Sequence, residues 1–382
     1  MIHRRQFLTS ATLGAAALLI APRLVFANVQ SERRFVFIIQ RGAADGLETV
    51  IPYGDPALDG LRGQLALDTA SLHKLDGMFG LHPSLERLAG LYGDKQALFV
   101  QAVASPYRER SHFDGQNVLE SGGSSPYEFK DGWLNRLATL LPKSKEEAIA
   151  FAPTIPLALR GAAPVSSYAP SALPEAPDDL LMRVGALYDA DPELHKLWSR
   201  AMETRGLATD AQARQDPAGV GKTAGEFLAR PDGPRIAMIE TGGWDTHSAQ
   251  KGRLAAQLRG LDTLIGAMKD QLGDAWNQTT VLVATEFGRT AAANGTGGTD
   301  HGTASSAMLI GGAVKGGRVL ADWPGLAQAA LYQGRDLAPT LDLDTLIATV
   351  AAESLRLDPV LTMRTLFPDR PINKGLNGLV AA

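Results

Sequence analysis

Short apolar runs recur along the chain, and they are rich in β-branched and aromatic residues. Runs of this kind are typical of strands that are buried on both faces, as in a parallel sheet. The pattern therefore predicts a series of core strands. They are Arg34–Ile39, Ala97–Val100, Arg235–Glu240, Thr280–Thr285 and Ala307–Ile310.

Between these runs, leucines recur at the three- and four-residue spacing of a helix that packs on one side. One such stretch begins at His82-Pro83, and a longer one covers Leu254–Leu272 and stops at Gly273. A late helix is predicted over Asp344–Leu355. The alternation of strand and helix predicts an α/β fold in which helices cover a mostly parallel sheet.

Residues 144–230 differ from the rest of the chain. Pro164, Pro174 and Pro177 interrupt regular structure, and the stretch Asp178–Arg230 is polar, alanine-rich and helix-prone. We expect a helical insertion or lid near residues 144–230 and not a separate domain. Residues 28–382 are then one α/β domain.

The first 27 residues have the pattern of an export signal. Arg4-Arg5 precede Phe7-Leu8, an apolar run over residues 11–21 and the small residues around Ala27. The run is shorter than the roughly 20 residues that span a bilayer, but it suits a signal peptide. We interpret residues 1–27 as a twin-arginine signal; the alternative is a basic amphipathic or anchoring helix. The signal predicts a periplasmic or secreted protein that uses the twin-arginine translocase and keeps no stable membrane anchor.

Composition and charge narrow the chemistry. The chain has no cysteine, which excludes disulfides, thiolate metal sites, iron–sulfur clusters and a cysteine nucleophile. Removing residues 1–27 takes away three arginines and no acid, so the formal charge changes from −4 to about −7. A surface of this charge has no broad electrostatic footprint for nucleic acid, and we expect no nucleic-acid partner.

Acids and histidines follow the predicted strands, at the edge of the sheet where open α/β folds bind ligands. Carboxylates and imidazoles are the ligands expected for zinc, manganese or similar divalent metals. Each short motif alone more often provides a helix cap or a structural hydrogen bond, but the joint pattern indicates a metal or acid–base site. The acids and histidines of this pattern are Asp45, Asp245, His247, Glu286, Asp300 and His301, and Arg289 lies among them.

A second polar cluster, Arg110-Ser111-His112, lies between the second predicted strand and a helical run. A serine at a helix N-terminus can act as a nucleophile, because the backbone N–H groups there stabilise an anion. The ordinary use of serine at this place is an N-cap, and we favour that interpretation for Ser111. Arg110 and His112 are the stronger functional candidates of this cluster.

Six short motifs occur in a set order: Gly42–Leu47, His82-Pro83, Arg110–Phe113, Gly242–His247, Glu286–Arg289 and Gly298–Gly302. Together they resemble the domain-of-unknown-function 1501 family of twin-arginine-exported bacterial proteins, which is similar to the alkaline phosphatase and sulfatase superfamily. The resemblance runs from about residue 34 to the C-terminus. It implies an alkaline phosphatase-like three-layer α/β/α sandwich around a long, mostly parallel sheet, and a two-metal hydrolase ancestry.

The resemblance also implies a ligand set made of an early acid, an Asp/His pair, a later acid and a last histidine. The matching positions are Asp45, Asp245 with His247, Glu286, and Asp300 with His301. This chain departs from the pattern in two places. Relatives place the first acid directly after the first strand, where Gln40 stands, and their middle pair is Asp-x-x-x-His, whereas this pair is Asp-x-His.

Two alignments of the later ligands remain open. In one, Glu286 is the ligand at the strand end and His301 is the last histidine. In the other, Asp300 and His301 form the pair. We prefer the first, because the geometry of a strand end is harder to change than the sequence of a loop.

The leading hypothesis is an exported metal-dependent hydrolase of phosphate or sulfate esters, acting on a small-molecule or polysaccharide ester. A divalent metal (zinc, manganese or calcium) would activate Ser111 or a water, and Arg289 or Arg110 would neutralise the oxyanion. The alternative is a non-catalytic periplasmic binding or assembly protein, or a cell-envelope polysaccharide factor, that retains the fold. Metal content separates the hypotheses.

Overall fold

A computed structural model describes residues 32–142, 148–169, 178–188, 191–207, 216–371 and 376–381. The interpretation of residues 1–27 as a signal peptide falls outside these ranges and stays a prediction. Within the ranges, no helix has the length and the apolar composition needed to cross a membrane.

Strands and helices alternate along these residues. The strands are β1 (Arg34–Gln40), β2 (Val50–Ile51), β3 (His73–Lys74), β4 (Gly80–Leu81), β5 (Ala97–Ala104), β6 (Ala148–Phe151), β7 (Val165–Ser167), β8 (Ile236–Thr241), β9 (Thr279–Thr285), β10 (Ser305–Ile310), β11 (Arg318–Leu320) and β12 (Leu341–Asp342). The helices are α1 (Gly46–Thr49), α2 (Leu58–Arg62), α3 (Glu86–Gly93), α4 (His112–Ser121), α5 (Trp133–Thr139), α6 (Asp178–Tyr188), α7 (Pro192–Leu207), α8 (Pro217–Ala229), α9 (Gln250–Leu272), α10 (Leu343–Leu355) and α11 (Pro359–Leu366).

One large sheet organises the fold. Its order is β11-β5-β10-β9-β1-β8-β6-β7, and β12 pairs with β5 beside this path. Strand β10 runs antiparallel to β5 and β9, whereas the other pairs of this sheet are parallel. A second, small sheet has the order β2-β4-β3. The main sheet is therefore mostly parallel, as the sequence predicts.

Alternate residues of β1 enter two different cores, because successive side chains of a strand point to opposite faces. Phe35, Phe37 and Ile39 pack in the core that α5, α10 and α11 cover. Val36 and Ile38 pack in the other core, with α3, α8 and α9. The three-layer α/β/α arrangement predicted from the sequence is confirmed.

The predicted strands correspond to β1, β5, β8, β9 and β10, and the long leucine-rich helix is α9. That helix ends at Gly273, whose φ of 53° places it in the left-handed region that glycine adopts at low cost. Helix α3 begins at Glu86 and not at His82. The proline at 83 explains the difference, since a residue before proline avoids the helical region.

The segment 144–230 combines strands with helices. Within its described residues, β6 and β7 extend the main sheet beyond β8, and α8 packs in the same core as α9. These two strands are not visible in the sequence, because β6 has four residues and β7 has three, too few for a periodic pattern. The helices α6 and α7 lie within the stretch for which a helical insertion is predicted, and the insertion itself stays a prediction.

The sheet topology brings the carboxyl ends of three central strands level with one another. Gln40 at the end of β1 pairs with Thr241 of β8 on one side and with Thr285 of β9 on the other. The loops that leave these strands therefore meet at one edge of the sheet. This is the edge at which the sequence predicts ligand binding.

Candidate metal centre

Two loops and the start of one helix supply the side chains of the site. Asp245 and His247 lie in the loop between β8 and α9, and His301 lies between β9 and β10. His112 is the first residue of α4, which follows β5. Three chain segments that are distant in sequence thus meet at one point.

The carboxylate of Asp245 is the centre of this group. Its Oδ1 lies 3.0 Å from Nε2 of His247 and 3.4 Å from Nε2 of His301, and its Oδ2 lies 3.5 Å from Nε2 of His112. The Nε2 atoms of His247 and His301 are 3.0 Å apart. Ligand atoms of His112, Asp245 and His301 all lie within 4.8 Å of one another, a spacing that can hold a metal ion.

The other ring nitrogen of each histidine faces an oxygen. Nδ1 of His112 lies 2.9 Å from Oε1 of Glu286, and Nδ1 of His247 lies 3.1 Å from Oδ1 of Asp300. Nδ1 of His301 lies 2.9 Å from the carbonyl oxygen of Arg110. A carbonyl or an ionised carboxylate can only accept, so each Nδ1 carries the hydrogen and donates it.

The Nδ1 bonds decide what the Nε2 atoms can do. In a neutral imidazole, a hydrogen on Nδ1 leaves a lone pair on Nε2. Three such lone pairs then point at the acceptor atoms of Asp245, and Nε2 of His112 is buried without a hydrogen-bond partner. Arg289 donates to Oδ1 of Asp245, but the remaining contacts join acceptors to one another, and these need a cation between them, either a proton or a metal. The donor set therefore fits a divalent metal.

Burial and nearby charges favour the ligand state of His301 and Asp245, but not that of His112. Burial, followed by the charge of His112, lowers the pKa of His301, which keeps that ring neutral. Burial acts to raise the pKa of Asp245, but the hydrogen bond and the charge of Arg289 outweigh it and lower that pKa. The hydrogen bond to Glu286 raises the pKa of His112 against the effect of burial. A proton on His112 is thus the competitor of a metal.

Aromatic and backbone contacts hold the site in place. The ring of His112 stacks on Phe287, with centroids 5.1 Å apart, and meets His301 edge-on at 4.2 Å. A Cβ on Gly298 would lie 2.3 Å from the carbonyl carbon of His247, so only glycine allows these two loops to approach. A side chain at Gly42 would likewise collide with the backbone of Asp245.

Of the six predicted ligands, Asp245, His247 and His301 lie in the cluster, and His112, predicted as catalytic, joins them. Glu286 and Asp300 contribute by orienting histidine rings and not as members of the converging group. Glu286 is fully buried, and its Oε1 also accepts from the backbone N–H of Gly42 (2.9 Å) and from Gln116 (3.0 Å). Burial acts to raise the pKa of Glu286, but these bonds and the one from His112 lower it.

Asp45 lies in a different network. Its carboxylate accepts from two backbone N–H groups of α1, from the guanidinium of Arg62 and from Nε2 of Gln250 at 2.7 Å. Both oxygens of this carboxylate already accept hydrogen bonds from these donors, which leaves neither oxygen free for a metal. The predicted role of Asp45 as a ligand does not match this arrangement, because its motif caps α1 instead.

The predicted catalytic residues are positioned unequally. Arg289 is buried and donates to Oδ1 of Asp245 at 2.7 Å. The guanidinium of Arg110 instead donates to the buried carboxylate of Asp336, at 3.0 and 2.8 Å. Ser111 stands at the N-cap of α4, but its side chain makes no capping hydrogen bond. Ser111 thus occupies the predicted cap position without using its hydroxyl to bond the helix.

Two polar side chains of the site were missed in the sequence. Gln116 lies one helical turn after His112, so the i, i+4 spacing on α4 was a usable signal. Asn294 donates to the backbone carbonyl of His247 (2.9 Å) and to Asp300 (3.1 Å). Its position in an irregular loop offers no pattern from which to predict it.

A family model described as "Protein of unknown function (DUF1501)" matches residues 32–364, and the chain belongs to this family. No curated protein sequence matches the chain. Several of the solved structures that are similar to it, all at low identity, illustrate the match. The C-terminal periplasmic domain of EptC from Escherichia coli, in complex with zinc, is 10% identical with a TM-score of 0.40, and the match covers 75% of this chain and 74% of that one.

The phosphonate monoester hydrolase of Agrobacterium radiobacter is 12% identical with a TM-score of 0.36, over 90% of this chain and 78% of that one. A protein in the alkaline phosphatase superfamily from Vibrio parahaemolyticus is 11% identical with a TM-score of 0.35, over 73% and 60%. Likenesses at these TM-scores carry no argument about activity. The function must be argued from the site itself.

Proposed function

We propose that this member of the family is a metal-dependent hydrolase of phosphate or sulfate esters. The observation that carries the proposal is the convergence of three imidazole Nε2 atoms on the carboxylate of Asp245. Each of those rings is oriented by an oxygen acceptor at its Nδ1. An outer partner of this kind is the usual companion of a histidine that binds a metal.

The donor chemistry favours zinc. Imidazole nitrogens and one carboxylate suit zinc, whereas calcium takes six to eight oxygen ligands. The residues that would hold the ion are His112, Asp245, His247 and His301. When bound, the metal would supply Lewis acidity toward an ester oxygen.

The protein's own residues suit an anionic substrate. Arg289 is fully buried, and its Nη2 has no hydrogen-bond partner among the described residues. This buried donor needs an acceptor, and a phosphate or sulfate oxygen would supply one. The guanidinium of Arg110 is occupied by Asp336, so Arg289 is the arginine that we assign to charge neutralisation.

Ser111 is the candidate nucleophile. It precedes His112 directly, and its hydroxyl lies at the N-terminus of α4, where backbone N–H groups stabilise an anion. In the proposed step its oxygen bonds to phosphorus or sulfur while the bond to the ester oxygen breaks. The proton that the serine hydroxyl gives up leaves with the alcohol, and water then hydrolyses the serine ester to release phosphate or sulfate and restore the hydroxyl.

Turnover of p-nitrophenyl phosphate and p-nitrophenyl sulfate tests the proposal, with zinc, manganese or calcium supplied. Ser111→Ala should abolish turnover while stability falls by less than about 1 kcal/mol, because no cap bond is lost. His301→Ala should lose both turnover and bound metal. Retained activity in Ser111→Ala would assign the attack to a water instead. Absence of bound metal in the wild type would refute the hydrolase proposal.

A second candidate is a cell-envelope polysaccharide factor, and exposed aromatic residues favour it. Phe113 and Tyr127 are 83% and 67% exposed. Phe113 directly follows His112, and the backbone N–H of Tyr127 donates to Asn117 on the same helix, at 2.6 Å. An exposed aromatic face beside a carboxamide suits a sugar ring.

Binding to isolated envelope polysaccharide checks this candidate. Phe113→Ala and Tyr127→Ala should each weaken co-sedimentation with the polysaccharide. Leu361→Ala is the matched control, since Leu361 is 47% exposed on α11. Equal sedimentation of all three variants would exclude the aromatic pair as a sugar site.

Export through the twin-arginine translocase is part of the proposal and is supported by Arg4-Arg5 and the apolar run that follows. Changing both arginines to lysine should leave the protein in the cytoplasm. Periplasmic recovery equal to that of the wild type would contradict the assignment.

A further inference from the structure

We infer that the buried Asp45–Arg62 pair positions the metal ligand Asp245 through Gln250, Thr299 and Arg289. The inference rests on the proposed metal site and deepens it. It assigns Gln250 and Thr299 as positioning residues, and it gives the Asp45 motif a role in the site without making it a ligand.

The links of this chain are short and continuous. Nε2 of Gln250 donates to Oδ2 of Asp45 at 2.7 Å, and Oε1 of Gln250 accepts from Thr299 Oγ1 at 2.6 Å. Thr299 in turn accepts from Nε of Arg289 at 3.2 Å. Nη1 of Arg289 then donates to Oδ1 of Asp245 at 2.7 Å.

The direction of each hydrogen bond follows from its neighbours. The Nε–H of Arg289 can only donate, so the oxygen of Thr299 accepts and its own hydrogen goes to Gln250. Gln250 also accepts from Thr246 Oγ1 at 3.0 Å, which places its carboxamide oxygen on the hydroxyl side. Its NH₂ group therefore faces Asp45. The series of hydrogen bonds therefore ends at the carboxylate of Asp45, which can only accept.

Burial makes the chain stiff. Asp45, Arg62, Gln250, Thr299 and Arg289 are all buried. A buried polar group that loses its partner costs about 1–3 kcal/mol, so the side chains have no cheap alternative arrangement.

The chain also joins three loops. Asp45 follows β1, Gln250 begins α9 after the Asp245 loop, and Thr299 lies in the loop that carries His301. Arg289 holds Oδ1 of Asp245, and Oδ2 then lies 3.5 Å from Nε2 of His112. A displaced Arg289 would let the carboxylate rotate away from that histidine.

The test is zinc affinity, measured by competition with a chromophoric chelator in the full chain. Thr299→Val keeps the shape of the side chain and removes the hydroxyl, and Gln250→Met removes both of that residue's links. Each variant should bind zinc roughly 10-fold more weakly, the lower end of the effect of losing a direct outer partner of a ligand, because both residues act through that partner, Arg289. Thr299→Ser restores the hydroxyl and should return the affinity to within about threefold of the wild type.

Asp262→Asn is the matched control for loss of stability. Asp262 is a buried carboxylate that accepts from the backbone N–H groups of Arg87 and Leu88 at the start of α3, outside the chain of bonds. It should lower the melting temperature without a change in zinc affinity. Wild-type zinc affinity in Thr299→Val would overturn the inference while the metal site stands. A wild type that binds no zinc would instead overturn the proposed function and the inference with it.

Discussion

Two clusters of polar side chains lie at the same edge of the sheet, and they differ in the balance of donors and acceptors. The first surrounds Asp45, whose carboxylate receives hydrogen bonds from Arg62, Gln250 and the backbone of α1. The second surrounds Asp245, where three imidazole lone pairs face a carboxylate that is donated to by Arg289. The carboxylate of Asp45 is matched by donors, whereas most of the polar atoms that converge in the histidine cluster are acceptors.

This difference teaches how to separate a ligand from a structural acid. Both aspartates belong to glycine-flanked motifs, and residue type alone makes them equal candidates. The number of donors around each carboxylate distinguishes them. A carboxylate whose lone pairs all accept hydrogen bonds does not need a metal. Buried acceptors that face one another are unstable unless a cation lies between them.

A third region sharpens the contrast. His82 is buried, and its Nδ1 accepts from the backbone N–H of Ser84 at 3.0 Å. The histidines of the metal centre use the same nitrogen as a donor. A hydrogen-bonded lone pair marks His82 as a structural histidine, in keeping with a pKa that burial, followed by the charges of Arg259 and His73, lowers to about 4.

The largest effect on stability is expected in the Asp45 cluster. Arg62→Met removes the cation from a buried ion pair, and the free energy of unfolding should fall by about 3–5 kcal/mol. Arg87→Met is the control, because its exposed pair with Asp270 should contribute less than about 1 kcal/mol. Urea unfolding measures both. Equal stability of the two variants would show that the Asp45 cluster is not a structural anchor.

The contribution of the histidine cluster to the stability of the protein should depend on bound metal. At a free zinc concentration of about 1,000 times Kd, zinc should stabilise the wild type by about 4 kcal/mol at most, and a chelator should remove this gain. In His301→Ala the same addition should have almost no effect on the melting temperature. His73→Ala, outside the cluster, should keep the full response. A wild type whose melting temperature does not change on addition of a chelator would show that the two clusters do not differ in metal binding.

The smallest effect concerns pH. The pKa of His82 in the fold, about 4, lies below its ordinary value of 6.5. Its contribution to stability is therefore complete above pH 6.5 and is lost as the pH falls toward 4, because the unfolded chain takes up the proton first. The loss should be about 3 kcal/mol over this window.

His82→Asn keeps a side-chain acceptor for Ser84 and removes the titrating group. Unfolding measured from pH 7 to pH 4 should show a flatter profile for this variant than for the wild type. Parallel profiles would show that other groups cause the acid sensitivity.

Much of the fold is predictable from local pattern, and its exceptions share a cause. The runs at β1, β8 and β9 are apolar throughout, so burial on both faces is visible in the sequence. The direction of β10 is not visible, because an antiparallel strand inside a parallel sheet has the same apolar run. That direction depends on pairing with β5 and β9, which is a property of the assembled sheet.

At the site, the residue types along the chain specify the available chemistry: histidines and acids that follow strands, an arginine, and a serine before a helix, with no cysteine. Which of these residues act together depends on the folded chain. The tautomer of His112 depends on Glu286, 174 positions away, and the tautomer of His301 depends on a carbonyl 191 positions away. In the same way, Arg62 and Gln250 donate to the carboxylate of Asp45, so that this residue is not a ligand. The physical reason is that a lone pair is free only when no donor lies against it, and donors reach these acceptors through the fold.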